Sequence, residues 1–378
     1  MSHLRKHLFL LQLEEYQTDR YNEWLHYYRI EDLQERKKQL VITPRIVLTA
    51  PLAFLLGVPA ANLLVGFFFK IAGFLLTRLA AVKLRCYPRL TRIVITGSYG
   101  KTTFKEMLAW VLQDKFSVLA TPGSVNTGGG IASVVLKQAL GGKQVLIVEA
   151  GAYKQGEIRD IGKMIKPDFG IITIIGWMHL GRFKTIDKIR SAKFELEELV
   201  GDKNNFFAPE KDHVMIDFED TVTSIAGKMG ITVSRARKRL ASFSPPEHRL
   251  KIKQLNAKVT LIDDSYNSNP IGFTRALTAL KKFKKEQKII ATPGMIDLGE
   301  KQFELNEAAA KEAAGVVDLF VIVGHTNKEA LASGIKKAKR KIAVVYLTKD
   351  DELFSSLSPF LRPPSVLLVE NDLPDNYF

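Results

Sequence analysis

Thr96-Gly97-Ser98-Tyr99-Gly100-Lys101-Thr102-Thr103 lies between an apolar run, Ile93-Val94-Ile95, and a helical pattern from Phe104 to Leu112. Strand, glycine loop and helix in that order present bare backbone N–H groups to an anion. Gly97 and Gly100 carry no Cβ, so the main chain can approach a phosphate closely. Lys101 would then reach the outer phosphates of a nucleotide, and Thr102 would offer a hydroxyl to Mg²⁺. Ser98 and Thr103 complete the loop. The spacing departs from the common P-loop, whose first glycine would fall at Ile95.

Outward from this loop, residues 92–200 alternate short β-rich runs with helical patterns. Strands are expected at Arg92–Thr96, Ser117–Ala120, Gln144–Glu149 and Phe169–Ile175, and helices at 101–113, 128–139, 156–165 and 185–199. This predicts an α/β fold, a P-loop-type parallel sheet with helices on both faces and ligands at the carboxyl ends of the strands. Glu149 ends one strand there, where a hard carboxylate suits Mg²⁺. His179 falls in a loop after another, and Lys193 lies on a helix. Two helices over 216–242 and the Pro245-Pro246 break lead to a second alternating region. Strands at Lys258–Asp263, Lys288–Ala291, Leu319–Val323, Ile342–Leu347 and Val366–Val369, with helices at 271–284, 302–315, 326–338 and 349–357, predict a smaller Rossmann-like α/β domain.

The N-terminal part reads differently. Leu4, Leu8 and Leu11, then Tyr21, Trp24, Leu25 and Tyr28, recur at helical spacing, which fits amphipathic helices packed on the protein itself or lying on a membrane. Residues 46–69 carry no charged side chain, a length that crosses ~30 Å of hydrocarbon. One crossing and a hairpin bent near Gly57-Val58-Pro59, continuing to about residue 82, both satisfy the pattern. The run starts too far along, after too many charges, to read as a cleaved signal peptide. Lys70, Arg78, Lys83, Arg85, Arg89 and Arg92 lie after it without one acidic residue, which places the C-terminal portion of the chain at the cytoplasmic face of a membrane. Arg36, Lys37, Lys38 and Arg45 precede it, so a hairpin with both ends cytoplasmic reconciles the two basic flanks.

The chain has 378 residues, enough for two domains and an appendage, and its net charge of +15 favours acidic partners. No nucleic-acid module is recognisable, so nucleotides and anionic lipid are preferred and nucleic acid is not expected. Cys86 is the only cysteine, which excludes an intrachain disulfide and a cysteine-based zinc site.

In order along the chain, these segments resemble the Mur ligase family. The phosphate loop is followed by Ser124-Val125-Asn126-Thr127-Gly128-Gly129-Gly130, similar to the family's asparagine-containing loop. Glu149-Ala150-Gly151-Ala152 looks like its metal-binding glutamate segment, and Ile175-Gly176 with His179-Leu180 like its metal-binding histidine segment. Ala192-Lys193 with Glu195 resembles the segment whose lysine is carbamylated. Glu247-His248-Arg249, Asp263 to Pro270 and Gly294 to Glu300 look like its C-terminal motifs. The nearest member adds D-alanyl-D-alanine to a peptidoglycan precursor peptide.

The resemblance implies an ATP- and Mg²⁺-dependent ligase that joins a cell-wall precursor carboxylate to an amine through an acyl phosphate; the apolar N-terminal region adds the expectation that it is held on membrane lipid. It implies nucleotide contacts from Gly97, Ser98, Gly100, Lys101, Thr102, Thr103, Asn126, Arg249, Asn267 and Asn269. It places one metal at Thr102 and Glu149 and a second at His179 and the carbamate of Lys193, with Lys101, His179 and Lys193 as the catalytic set. The expected domains are 1–89, 90–245 and 246–378. Four features depart from the pattern. Residues 1–90 are helical and apolar where the family holds its uridine nucleotide, and the stretch from Lys193 to Thr221 is short. Ile174 stands where asparagine is usual, and the end reads Glu370-Asn371-Asp372-Leu373-Pro374. A related ligase acting on a lipid-linked precursor or poly-glutamate, or a degenerate membrane-bound nucleotide-binding protein, therefore stay open beside the first reading.

Overall fold

A computed structural model describes the chain except residues 1–2, 28, 34–39, 179, 211–213, 257, 267, 349–352 and 373–378. It divides into two compact units, Met1–Leu75 with Asp372–Phe378, and Leu76–Asn371.

In the first unit, His3–Leu13 and Thr18–Tyr27 are helices. Phe9, Leu10, Leu11, Tyr21 and Trp24 close a core with Ala53, Val58 and Ala61, so these helices pack on their own protein. Tyr28 lies outside the described residues, as do Arg36, Lys37 and Lys38. The charge-free run 46–69 is not one helix. Pro44–Leu56 stops at Gly57, whose φ of 76° favours glycine, and Val58–Arg85 begins directly after it. Thr43 caps the first helix by accepting from the Ile46 N–H at 3.2 Å. Among the described residues, Val58–Arg85 is the one helix long and apolar enough to cross a membrane.

The second unit holds two sheets. The first contains β1 (Thr91–Thr96), β2 (Val118–Ala120), β3 (Val145–Glu149), β4 (Phe169–Ile172) and β5 (Phe206–Phe207), all parallel, in the order β2-β3-β1-β4-β5. β1 is central, with Ile95 opposite both Glu149 and Ile171. Alternation feeds two cores. Val94, Leu146 and Val148 point into one with Ile131, Val135, Ile158 and Ile161. Ile93, Ile95, Val145 and Ile147 point into the other with Phe104, Leu108, Val111 and Val222. Burial on both faces is why these strands read as continuous apolar runs. The end of the long helix belongs to this unit. Ala80 and Leu84 enter the first core, and the Lys83 ammonium donates to the carbonyls of Leu136 and Gln138, both at 2.9 Å.

The second sheet contains β6 (Lys251–Asn256), β7 (Val259–Asp264), β8 (Gln287–Thr292), β9 (Leu319–Val323), β10 (Ala343–Leu347) and β11 (Ser365–Glu370). Its order is β10-β9-β8-β11-β7-β6, parallel except for β6, which runs antiparallel to β7. The sequence gives little sign of β6. It is a half-exposed edge with two apolar residues in six, so its pairing with β7 decides its conformation.

Glu370 ends β11 fully buried. Thr292 donates to its Oε2 at 3.1 Å, and Ser268 Oγ hydrogen-bonds Oε1. Burial pushes this carboxyl up from 4.5 to about 8. The folded protein therefore keeps a proton that the unfolded chain releases, and stability falls as pH rises from about 4.5 through about 8. Glu370→Gln should flatten that part of the stability–pH curve. Urea unfolding at pH 5 and at pH 8 checks it; an unchanged slope contradicts the assignment.

Candidate active site

The loop after β1 adopts the geometry its glycines predict. Gly97 has φ of 145°, and a Cβ there would lie 2.2 Å from Thr173 Oγ1. Gly100 has φ of 76°, and its Cβ would lie 2.6 Å from Phe218 Cζ. No L side chain fits either place without displacing the buried Thr173 hydroxyl or the packed Phe218 ring. Ser98 ties the loop to the end of β4: its N–H donates to the Ile174 carbonyl at 2.6 Å, and its hydroxyl bonds both Gly176 O and Gly176 N at 3.1 Å. Ile174 is buried and forms bridges with Tyr99 and Met215, so the apolar residue at this position walls the loop. Gly97→Ala should destabilise the fold by about 1–3 kcal/mol through forced strain and abolish nucleotide-dependent stabilisation. Thermal melts with and without ATP measure both; full retention of the ATP shift contradicts this geometry.

Lys101 opens the helix Lys101–Leu112 and folds back, its ammonium donating to Gly97 O at 2.9 Å and Ser98 O at 3.2 Å. Burial lowers its pKa to about 8, with Glu149 opposing and Arg249 adding to the shift. Thr102 and Glu149 meet beside this loop, the hydroxyl donating to Glu149 Oε2 at 2.8 Å. Asn126 Nδ2 donates to Glu149 Oε1 at 3.4 Å, and Asn126 O accepts the Gly151 N–H at 2.7 Å. Thr103, one residue further along the helix, is half-buried.

Lys105 is a member of this cluster that sequence reasoning missed. It is fully buried, and its ammonium lies 3.6 Å from Glu149 Oε2 and 3.2 Å from Glu106 Oε1. It also donates to Thr121 O at 2.6 Å and to Gly123 O. The available signal was its place one helical turn after Lys101, beside the fully buried Phe104.

Lys193 is 3% exposed on the helix Ile186–Phe194. Its amine is pushed down to about 7, first by burial and then by the charge of Lys101, against the pull of Glu157 and Glu195. Both carboxylates are anchored. Glu195 accepts from the N–H groups of Gly156 at 2.7 Å and Arg159 at 3.1 Å, and Glu157 from those of Tyr153 and Lys154. A buried amine of this kind is substantially neutral near pH 7, the form that attacks CO₂ to give a carbamate.

The second sheet's side contributes Arg249. Its Nη2 lies 3.3 Å from Thr102 Oγ1, and its guanidinium stacks 4.1 Å from the Tyr266 ring. Tyr266 OH in turn bonds Ser124 Oγ at 2.7 Å, joining the asparagine-containing loop to the loop after β7. Asn269 caps the helix Pro270–Lys281, its Oδ1 accepting from the Gly272 N–H at 2.8 Å. His179 and Asn267 lie outside the described residues. Among the described residues, no group of three or more His, Cys, Asp and Glu side chains is placed to hold a metal. The hard donors brought together are Thr102 and Glu149, with Lys193 within electrostatic reach of the same loop. A buried carboxylate with a hydroxyl on the same oxygen suits Mg²⁺, which takes few protein ligands and keeps several waters.

Two family models match consecutive parts of the chain, the Mur ligase middle domain over residues 95–268 and the Mur ligase glutamate ligase domain over 248–370. A curated relative, UDP-N-acetylmuramoyl-tripeptide–D-alanyl-D-alanine ligase of Treponema pallidum, is 25% identical over 297 residues, 64% of this chain and 64% of the relative. The chain thus spans less than two thirds of that relative's length. Among solved structures, the ligase MurF of Acinetobacter baumannii superposes with a TM-score of 0.67 at 22% identity, covering 79% of this chain and 77% of the other. MurF ligase of Thermotoga maritima in complex with ADP gives 0.67 at 24% identity, covering 79% and 80%.

Proposed function

The chain belongs to the Mur ligase family, and we propose that it is an ATP-dependent ligase that forms an amide bond on a peptidoglycan precursor through an acyl phosphate. The observation that carries this reading is the meeting of Lys101, Thr102, Glu149 and Arg249 at one glycine loop, with a buried Lys193 in its field whose amine is pushed down to about 7. The amine is read as D-alanyl-D-alanine and the acceptor as a muramoyl tripeptide, after the Treponema pallidum relative. The residues point to domains over 90–245 and 246–378, with the N-terminal region holding the enzyme at the cytoplasmic face of a membrane.

The loop N–H groups and Lys101 orient the triphosphate, while Arg249 reaches it from the C-terminal side. Thr102 and Glu149 would hold one Mg²⁺, and His179 with a carbamate on Lys193 a second, and the bound ions would supply charge neutralisation on the phosphates. Asn126 holds Glu149 Oε1 in place, and Asn267 and Asn269 bring the C-terminal loop to the nucleotide. The acceptor carboxylate attacks the γ-phosphorus in line, and the bond to the β,γ-bridging oxygen breaks, releasing ADP. The neutral amine then attacks the acyl carbon. Phosphate leaves with the C–O bonding pair, and the amine loses one proton. Positioning and electrostatics carry most of this chemistry.

The test is phosphate release from ATP with a panel of carboxylate and amine pairs. Release that requires both a muramoyl tripeptide and D-alanyl-D-alanine supports the full reading. Release with another pair keeps the ligase and replaces the substrates. ATP hydrolysis indifferent to any pair contradicts it.

A further inference from the structure

We propose that the first unit seats on one leaflet of an anionic bilayer, with its two apolar helices lying in the interface and not crossing it. The surface is large and apolar. Pro44–Leu56 and the first part of Val58–Arg85 leave Phe54 79%, Leu55 81%, Phe67 59% and Phe68 60% exposed, with Leu48 and Leu64 beside them. On the second helix Leu64, Phe67, Phe68 and Ile71 keep helical spacing, as do the buried Val58, Ala61 and Val65 on another side. Ala53, Val58 and Ala61 face the core built with Phe9, Leu10 and Trp24. Each helix thus has one stripe in a protein core and another in the open. An exposed apolar face of this extent marks an interaction site.

Three observations choose the lipid surface and the in-plane seat. The helices fold back on each other: Arg45 Nη2 donates to Asn62 Oδ1 at 2.8 Å, and its guanidinium lies 5.7 Å from the Phe69 ring. The first, 13 residues long, reaches only about 20 Å, short of the roughly 30 Å of hydrocarbon a crossing needs. Lys70 is exposed and lies about 18 Å along the second helix from Val58, close to mid-depth of a perpendicular span, where an ammonium is costly. An in-plane helix keeps that ammonium at the headgroups. Finally, basic residues lie toward both ends of the apolar stretch, Arg36, Lys37 and Lys38 before the first helix, and Lys70, Arg78, Arg85 and Arg89 along and just beyond the second, with no acidic residue from 70 to 92. That balance matches anionic headgroups and keeps both flanks on the cytoplasmic side.

This inference rests on the membrane attachment proposed above but not on catalysis, so ligase assays in solution report on the latter separately. The full chain is mixed with vesicles of phosphatidylcholine alone or with an equal part of phosphatidylglycerol, and co-sedimentation is measured. Bound fraction should rise about tenfold or more with the anionic lipid and be lost in Phe67→Asp/Phe68→Asp, two exposed positions outside the core. Equal binding to both vesicles, or full binding of the double variant, overturns the proposal. Sidedness is read in bacterial spheroplasts with Asn22→Cys in a Cys86→Ser background. An impermeant maleimide should label Cys only after lysis. Labelling in intact spheroplasts would place the N-terminal helices outside and establish a crossing instead.

Discussion

Lys193→Ala should lower kcat by on the order of 10²–10³-fold, the loss typical of removing one transition-state stabilising group, while ATP affinity changes much less. Alanine removes the only route by which this position can carry an oxygen-donating carbamate. Lys193→Arg should be equally inactive, because a guanidinium stays protonated and takes up no CO₂. A purely structural lysine would be partly rescued by arginine. The same chemistry gives a pH signature. With its amine at about 7, Lys193 is protonated below that pH and unable to react with CO₂, and neutral above it. Activity at fixed dissolved CO₂ should therefore rise from pH 6 to pH 8. Stripping CO₂ should reduce wild-type turnover and leave the residual activity of Lys193→Ala unchanged. Steady-state kinetics in CO₂-free and bicarbonate-supplemented buffer measure all of this.

Lys105→Met should destabilise the metal-free protein by about 3–5 kcal/mol, because it removes one partner of a buried ion pair and leaves the other charge behind. Lys105 is fully buried and Glu149 1% exposed, so water cannot take over the lost contact. The ammonium also holds the carbonyls of Thr121 and Gly123, which lead into the loop bearing Asn126. Methionine keeps the apolar stem, which separates charge from volume. A divalent cation at Glu149 should restore part of the lost charge balance. Mg²⁺ should therefore raise the urea midpoint of Lys105→Met more than that of the wild type. Equal midpoints for the two proteins without metal would show that Lys105 does not hold the site together.

The sequence made the sheets legible because their strands are buried on both faces. Val145 to Val148 read as a strand with no tertiary information, and β3 lies where that run predicts. Gly97 and Gly100 announced their loop because the positive φ values demand glycine. The edge strand β6 was hidden, since an exposed strand owes its shape to its neighbour. Lys105 was hidden for a different reason. A lysine among apolar helix positions looks solvated until the fold shows acceptors closing over it. Arg249 on Thr102 and Tyr266 on Ser124 join segments more than a hundred residues apart, and no local pattern reports such contacts. The break at Gly57 was readable from glycine and proline, but the return of Arg45 onto Asn62 was not.

The most direct test of an acyl phosphate at this loop tracks one oxygen atom. The muramoyl peptide is prepared with ¹⁸O in its acceptor carboxylate and turned over with ATP and the amine, and the released phosphate is analysed by mass spectrometry. Attack by the carboxylate on the γ-phosphorus predicts one ¹⁸O in each phosphate released. Phosphate free of ¹⁸O, released in step with amide product, would rule out the acyl phosphate.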